Sequence, residues 1–155
     1  MLNFDPERYV TIQSGAVQLA PRIDRAIGEL LADGATNVVF AGTGGAGILM
    51  QPAYDLLVER SSFPAFRVWP AETIVTRPAF LGPGSIVIIP SRSGNTPESV
   101  EMMRLAQAVG ARVIALVAND HTPLADGADV SLVNFAADDT SSESFYIQSL
   151  LVAMS

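Results

Sequence analysis

The amino-acid sequence predicts an α/β protein, a three-layer sandwich in which a five-stranded parallel sheet lies between two layers of helices. Five short apolar runs lack the alternation of apolar and polar residues that marks a half-exposed strand, which indicates strands buried on both faces. Each run is followed by a segment with helical features, and such crossovers connect parallel strands. The predicted strands are residues 37–41, 65–70, 84–90, 111–118 and 129–135.

Two helices are predicted before the first strand. Asp5, Pro6 and Glu7 are residues that begin a helix: a capping acid, a proline at the first position and an acid in the first turn. This helix should run to about Ala20, next to a proline that interrupts it. A second helix has four apolar residues on one face and ends at Gly34, which acts as a cap. That apolar face consists of Ile23, Ile27, Leu30 and Leu31.

The segments between the strands predict the remaining elements. A glycine loop at residues 42–47 leads into a helix at 48–60, in which Pro52 lies near the start or bends the helix. The last helix follows a polar loop at residues 138–144 and ends in "SLLVAMS", without a stop signal. We therefore expect either that this helix packs at an interface or that the chain is part of a longer protein. Residues 96–110 are predicted to form a further helix, residues 71–82 a short helix and a loop, and residues 119–128 a loop and a short turn of helix.

Length and composition limit the organisation and the class of protein. With 155 residues, 49% of them apolar and 16% charged, the chain predicts one folded domain. We divide it into an N-terminal helical segment, residues 1–34, and a main domain, residues 35–155. A net charge of -7 argues against nucleic acid and against an anionic membrane surface as partners. The absence of a signal peptide and of an apolar run long enough to span a membrane favours a cytoplasmic protein.

Metal and thiol chemistry are poorly represented in the sequence. The chain contains no cysteine and one histidine, so we expect no thiol nucleophile and no metal site.

Gly42, Gly44 and Gly47 spell G-x-G-x-x-G after a strand, which is the pattern of dinucleotide-binding loops. The acid that would bind the ribose is Glu72, and it comes later than the pattern requires. Three interpretations of the glycine loop remain: a site for another phosphorylated ligand, a turn without a ligand, and an NAD(P) site. The NAD(P) site is the less favoured of these, and we expect no cofactor.

The sequence "SRSGNTPES" at residues 91–99 follows the third predicted strand. Ser91, Ser93 and Thr96 supply hydroxyl donors, and Gly94 allows the backbone to turn tightly. The helix that begins at Pro97 directs its free N–H groups and the positive end of its dipole to the same place. This combination suits a phosphate monoester. The alternative is an ordinary turn, since the same residue types also form turns and helix caps.

The order of these residues resembles the sugar isomerase (SIS) domain family. The family shows S-x-S-G-x-T at the tip of a central strand and a "(S/T)PLAxxAD" segment further on, which correspond here to residues 91–96 and 122–129. The resemblance covers about residues 35–135, includes features of the fructoselysine-6-phosphate deglycase branch, and implies a flavodoxin-like fold that binds a phosphosugar. It implies phosphate contacts from Ser91, Arg92, Ser93, Gly94 and Thr96, and first-loop contacts from Thr43, Gly44 and Gly45. Many members have a serine in that first loop, so here one hydroxyl contact is lost or comes from Thr43.

The resemblance also implies an activity and partners. The expected activity is that of a sugar-phosphate isomerase or a fructosamine-6-phosphate deglycase, acting on a ligand such as fructose 6-phosphate or a phosphorylated Amadori adduct. Both reactions need a general base, for which Glu72 and Glu143 are candidates, while His121 is expected to be a solvated loop residue. The alternative is a phosphosugar sensor without catalysis. We expect either the first of two such domains in a longer chain or a single domain that forms a homodimer or higher oligomer.

Overall fold

The computed structural model describes residues 5–134, 136 and 141–155, except for the side chains of residues 141 and 142. Within these residues the chain alternates strands and helices as predicted. The strands are β1 (Asn37–Ala41), β2 (Ala65–Val68), β3 (Ser85–Ser91), β4 (Arg112–Val117) and β5 (Val130–Val133). The helices are α1 (Pro6–Val17), α2 (Ala20–Ala32), α3 (Gly44–Ile48), α4 (Gln51–Arg60), α5 (Pro70–Thr76), α6 (Pro97–Ala108), α7 (Pro123–Gly127) and α8 (Ser141–Met154).

The five strands form one parallel sheet with the order β2-β1-β3-β4-β5. This is the order of flavodoxin-like folds and differs from the order 3-2-1-4-5-6 of dinucleotide-binding Rossmann folds. β3 is the central strand, and all seven of its residues are buried. The predicted parallel sheet is therefore confirmed, and its centre is the strand that carries the hydroxyl-rich sequence at its carboxyl end.

Two separate apolar clusters hold the helices to the two faces of the sheet. On one face, α2, α4 and α8 pack on strand residues that include Phe40 and Ile88. On the other face, α5, α6 and α7 pack on residues that include Val39 and Ile89. Neighbouring residues along a strand point to opposite faces, so each strand contributes to both clusters. This explains why the strands are continuously apolar.

The N-terminal helices join the first of these layers. The Asp5 carboxylate caps α1 by accepting hydrogen bonds from the backbone N–H groups of Glu7 and Arg8, at 3.0 and 3.1 Å. α1 ends at Val17, three residues before the predicted end, and packs against α8. Gly34 follows α2 with φ of +94°, as expected of a helix cap.

The predicted apolar face of α2 is correct for three of its four residues. Ile23, Ile27 and Leu30 are buried in the core, whereas Leu31 is 41% exposed. The prediction for Leu31 was wrong because the buried face of α2 is narrower than the apolar face that the sequence pattern predicts.

Several boundaries also differ from the prediction. The glycine segment is a loop only at its beginning, because the chain already forms the short helix α3 from Gly44. α4 begins at Gln51, so Pro52 stands in its first turn and does not bend it. α8 begins at Ser141, inside the predicted polar loop, and residues 137–140 of that loop lie outside the described residues.

None of the helices described is long and apolar enough to cross a membrane.

Candidate functional site

The sheet order places two of the predicted loops side by side. β1 and β3 are neighbours, and the chain leaves β1 towards β2 on one side but leaves β3 towards β4 on the other. A crevice opens between the carboxyl ends of two such strands, and ligands of open α/β sheets bind there. The glycine loop follows β1, and the hydroxyl loop, which we define as residues 91–96, follows β3. Both loops therefore border this crevice.

The two serines of the hydroxyl loop differ in burial and in their hydrogen bonds. Ser91 is only 3% exposed, and its Oγ accepts a hydrogen bond from the backbone N–H of Gly94 at 3.2 Å. The same Oγ lies 3.3 Å from Oγ1 of Thr96, so one of these hydroxyls donates to the other. The hydrogen of the second hydroxyl stays available to a ligand. Ser93 is exposed, and its Oγ accepts from the backbone N–H of Asn95 at 3.2 Å, which leaves its own hydrogen free.

The start of α6 adds the positive end of a helix dipole at the same place. Thr96 is the N-cap residue and Pro97 the first helical residue, as predicted. The Thr96 hydroxyl does not cap its own helix but lies against Ser91. The helix is 12 residues long, so the positive end of its dipole supports an anion next to these hydroxyls.

Gly94 connects the hydroxyl loop to the segment that begins α7. Its φ is +64°, and a Cβ at this position would lie 2.0 Å from Oγ1 and 2.5 Å from Cβ of Thr122. The carbonyl of Gly94 accepts a hydrogen bond from the backbone N–H of Leu124 at 3.1 Å. Thr122 caps α7 by accepting from the N–H of Ala125. The first half of the "TPLADGAD" segment therefore supports the hydroxyl loop directly.

Asp129, at the end of that segment, makes its contacts at the other end of the strands. Asp129 accepts a hydrogen bond from the backbone N–H of Val113 at 2.8 Å and pairs with Arg112 at 3.1 Å. Both partners lie at the beginning of β4, at the edge of the sheet opposite the crevice. Asp129 thus joins β4 to the segment before β5 and takes no part in the site.

One residue near the loop was missed by the sequence analysis. The side-chain amide of Asn119, just after β4, donates a hydrogen bond to the carbonyl of Arg92 at 3.3 Å. The only sequence signal was a polar amide that follows a buried strand. Which loop it would contact depends on the strand order.

The glycine loop is built around contact between its first and third glycines. A Cβ on Gly42 would lie 2.4 Å from Cα of Gly47, and a Cβ on Gly47 would lie 2.4 Å from the carbonyl oxygen of Gly42. These two glycines are needed for packing. Gly44 and Gly45 are exposed, and nothing lies within 4 Å of the position that a Cβ on either would take, so their backbone is open to the crevice. Thr43 Oγ1 is buried and has no hydrogen-bond partner among the described residues.

The candidate acids lie in different helical layers. Glu72 is exposed in the first turn of α5 and lines a cavity of about 200 Å³ beside the edge strand β2, together with Arg67 and Trp69. No residue of the hydroxyl loop lines that cavity. Glu143 is exposed in the first turn of α8, in the opposite layer. Glu72 follows the carboxyl end of β2 and Glu143 follows β5, and these two strands form the opposite edges of the sheet. Glu143 does not line the cavity beside Glu72.

The His121 side chain is exposed to solvent, and a second cavity lies away from the two loops. The His121 side chain is 88% exposed, 3.8 Å from Asp120 and 3.9 Å from Asp126, in agreement with a solvated loop residue. A cavity of about 470 Å³ lies between α2, α4 and the end of α8, where its wall includes Val38 and Ile86 at the beginnings of their strands. Among the described residues, no group of three or more His, Asp or Glu side chains could hold a metal ion.

Comparisons with known proteins agree with this architecture. The chain is 33% identical over 116 residues to the fructosamine deglycase FrlB of Bacillus subtilis, which covers 72% of this chain and 35% of the relative. It is 32% identical over 104 residues to the arabinose 5-phosphate isomerase KdsD of Pseudomonas aeruginosa, covering 67% of this chain and 32% of the relative. A solved structure from Salmonella typhimurium, described as that of a phosphosugar isomerase, matches with a TM-score of 0.75 and 28% identity over 87% of this chain and 42% of that one.

The chain spans about a third or less of the length of the curated relatives that it matches. The model of one family covers most of it, from residue 31 to residue 155. The matched region includes the whole sheet, the hydroxyl loop and the segment that supports it. The chain belongs to the family of SIS domains.

Proposed function

We propose that this SIS domain binds a sugar phosphate in the crevice between β1 and β3, with the phosphate held by the hydroxyl loop and the first turn of α6. The observation that carries this proposal is the arrangement of Ser91, Ser93 and Thr96 at the start of a 12-residue helix. In this arrangement at least two hydroxyl hydrogens are free to bind an anion. Hydrogen bonds to a charged group are stronger than those between neutral groups, so no lysine is required.

The glycine loop would contact the sugar. The exposed backbone of Gly44 and Gly45 leaves room for a ligand close to the main chain. The Thr43 hydroxyl has no hydrogen-bond partner among the described residues, and a bond to a sugar hydroxyl would remove the cost of leaving it buried without one. Thr43 would then take the place of the serine found in many members of the family.

The relatives favour an enzyme of sugar-phosphate chemistry. One is named as a fructosamine deglycase and another as an arabinose 5-phosphate isomerase. We infer that this domain serves an isomerase, or a deglycase that acts on a phosphorylated Amadori adduct, in the cytoplasm. Both reactions move a proton between adjacent carbons, for which Glu72 and Glu143 are the candidate bases. Because these acids lie in different layers, we also propose that a second such domain, or a second subunit of a homodimer or higher oligomer, completes the site.

A calorimetric titration with fructose 6-phosphate tests the binding proposal. Replacing Ser93 by alanine removes one hydrogen bond to a charged group, which should weaken affinity by about 1–3 kcal/mol, or roughly 5- to 150-fold. The matched control is Ser62→Ala, an exposed serine before β2 at the opposite edge of the sheet, which should bind as the unchanged protein does.

Two further ligands and a turnover assay separate the alternatives. Fructose without a phosphate should bind far more weakly, because the hydroxyl loop then has no anion to bind. Stronger binding of NAD(P) than of fructose 6-phosphate would support the dinucleotide alternative and contradict the proposal. Tight binding of the sugar phosphate without isomerase or deglycase turnover would indicate the sensor.

A further inference from the structure

We propose that Asn119 is a positioning residue for the phosphate, which acts by orienting the peptide bond between Arg92 and Ser93. This inference rests on the proposed function, since it concerns how the same crevice binds its anion. Asn119 lies outside the S-x-S-G-x-T pattern, 27 residues after Arg92 in the chain.

Two carbonyl groups of the hydroxyl loop point to the same side of β3. The carbonyl of Arg92 accepts from the side-chain amide of Asn119, and the carbonyl of Gly94 accepts from the backbone N–H of Leu124. Both donors belong to the segment that follows β4. Since β4 is next to β3 on the side away from β1, both carbonyls point away from the crevice.

The geometry of the peptide bond then determines where the N–H groups point. In a trans peptide the C=O and the following N–H point in opposite directions, and none of the described peptide bonds is cis. The N–H groups of Ser93 and Asn95 therefore point away from the segment that follows β4, and we infer that they face the glycine loop after β1. The N–H of Asn95 donates to Ser93 Oγ, whereas the N–H of Ser93 has no partner among the described residues.

An unpartnered N–H directed into the crevice is suited to a phosphate oxygen. The N–H groups of Gly94 and Asn95 already donate to Ser91 Oγ and Ser93 Oγ, so of these three successive N–H groups that of Ser93 remains for the anion. The Gly94 carbonyl is held by backbone and by contact with Thr122, so its orientation does not depend on one side chain. The Arg92 carbonyl is held by the Asn119 amide. Without that amide the peptide can rotate and turn a carbonyl oxygen, not an N–H group, towards the anion.

Asn119→Ala tests this role, with Asp120→Ala as the matched control on the adjacent exposed residue. We expect Asn119→Ala to weaken fructose 6-phosphate binding about tenfold, while Asp120→Ala leaves it unchanged. The Asn119 hydrogen bond is exposed, so the thermal midpoint should change by less than about 4 °C. Asn119→Asp should weaken binding further, because a carboxylate cannot donate to the carbonyl and adds a negative charge.

Amide NMR spectra supply a readout that a purely structural role would not change. In the unchanged protein, fructose 6-phosphate should move the Ser93 amide proton downfield, and this shift should be lost in Asn119→Ala. If the unchanged protein binds the ligand but the Ser93 amide does not shift, or if Asn119→Ala binds equally well, the role of Asn119 is wrong and the proposed function stands. If the unchanged protein binds no sugar phosphate, both are wrong.

Discussion

Replacing Gly94 by alanine should damage the hydroxyl loop through two separate effects. The first is conformational, since a side chain at φ of +64° costs about 1–2 kcal/mol. The second is steric, because the new Cβ would lie 2.0 Å from Oγ1 and 2.5 Å from Cβ of Thr122. Forcing extra atoms into packed structure costs about 1–3 kcal/mol. The free energy of unfolding should therefore fall by about 2–5 kcal/mol.

Gly44 provides a matched control for the conformational effect. Its φ is +57°, but nothing lies within 4 Å of the position that a Cβ would take. Gly44→Ala should therefore lose only about 1–2 kcal/mol. Urea unfolding of the two variants and of the unchanged protein at one temperature measures both losses.

The difference between the two variants isolates the contact with Thr122. Equal losses in the two variants, together with unchanged fructose 6-phosphate affinity in Gly94→Ala, would refute the reasoning, because they would show that the loop does not rest on the α7 segment. If the loop moves aside without unfolding the domain, fructose 6-phosphate affinity should fall in Gly94→Ala while the unfolding midpoint stays close to that of Gly44→Ala. If Gly94→Ala changes neither the free energy of unfolding nor the fructose 6-phosphate affinity, both expectations are wrong: that the contact with Thr122 stabilises the domain, and that it holds the hydroxyl loop in place.

Two further predictions concern the edge of the sheet and the chemistry. Asp129→Ala should lower the free energy of unfolding by about 1–3 kcal/mol, because the buried N–H of Val113 loses its partner. Arg112→Ala removes only a half-exposed ion pair and should lower it by less than about 1 kcal/mol. Equal losses of the two variants in urea unfolding would contradict this prediction. If the protein turns over a sugar phosphate, at least one of Glu72→Gln and Glu143→Gln should lower kcat by about 10²- to 10⁴-fold with little change in KM. Full activity in both variants would mean that the general base lies elsewhere.

The fold could be predicted from the sequence because its signals are local. Continuous apolar strands such as "GSIVIIP", helix starts such as Asp5-Pro6, and glycine caps such as Gly34 each follow from the chemistry of a few adjacent residues. The errors occurred where a local pattern was incomplete. Leu31 fits the helical period but lies at the edge of the buried stripe, and the glycine segment begins a helix earlier than its composition suggests.

The site could be predicted only in part. The residue types of the hydroxyl loop indicated an anion, and the structure adds that Ser91 supports the loop while Ser93 stays exposed. Asn119 could not be assigned to the loop, because its partner is 27 residues away and the contact exists only when β4 lies beside β3. The same is true of Thr122, whose contact with Gly94 joins two sequence segments that are far apart in the chain.

The sequence by itself determined the number of strands, their burial, the places where helices begin, and the chemical character of the loop at residues 91–96. These properties depend on neighbours along the chain and on the apolar or polar nature of each side chain. Only the tertiary structure decided the strand order, the meeting of the two loops at β1 and β3, and the separation of Glu72 from Glu143. The physical reason is that these relations arise from packing between residues far apart in the chain, which no local pattern encodes.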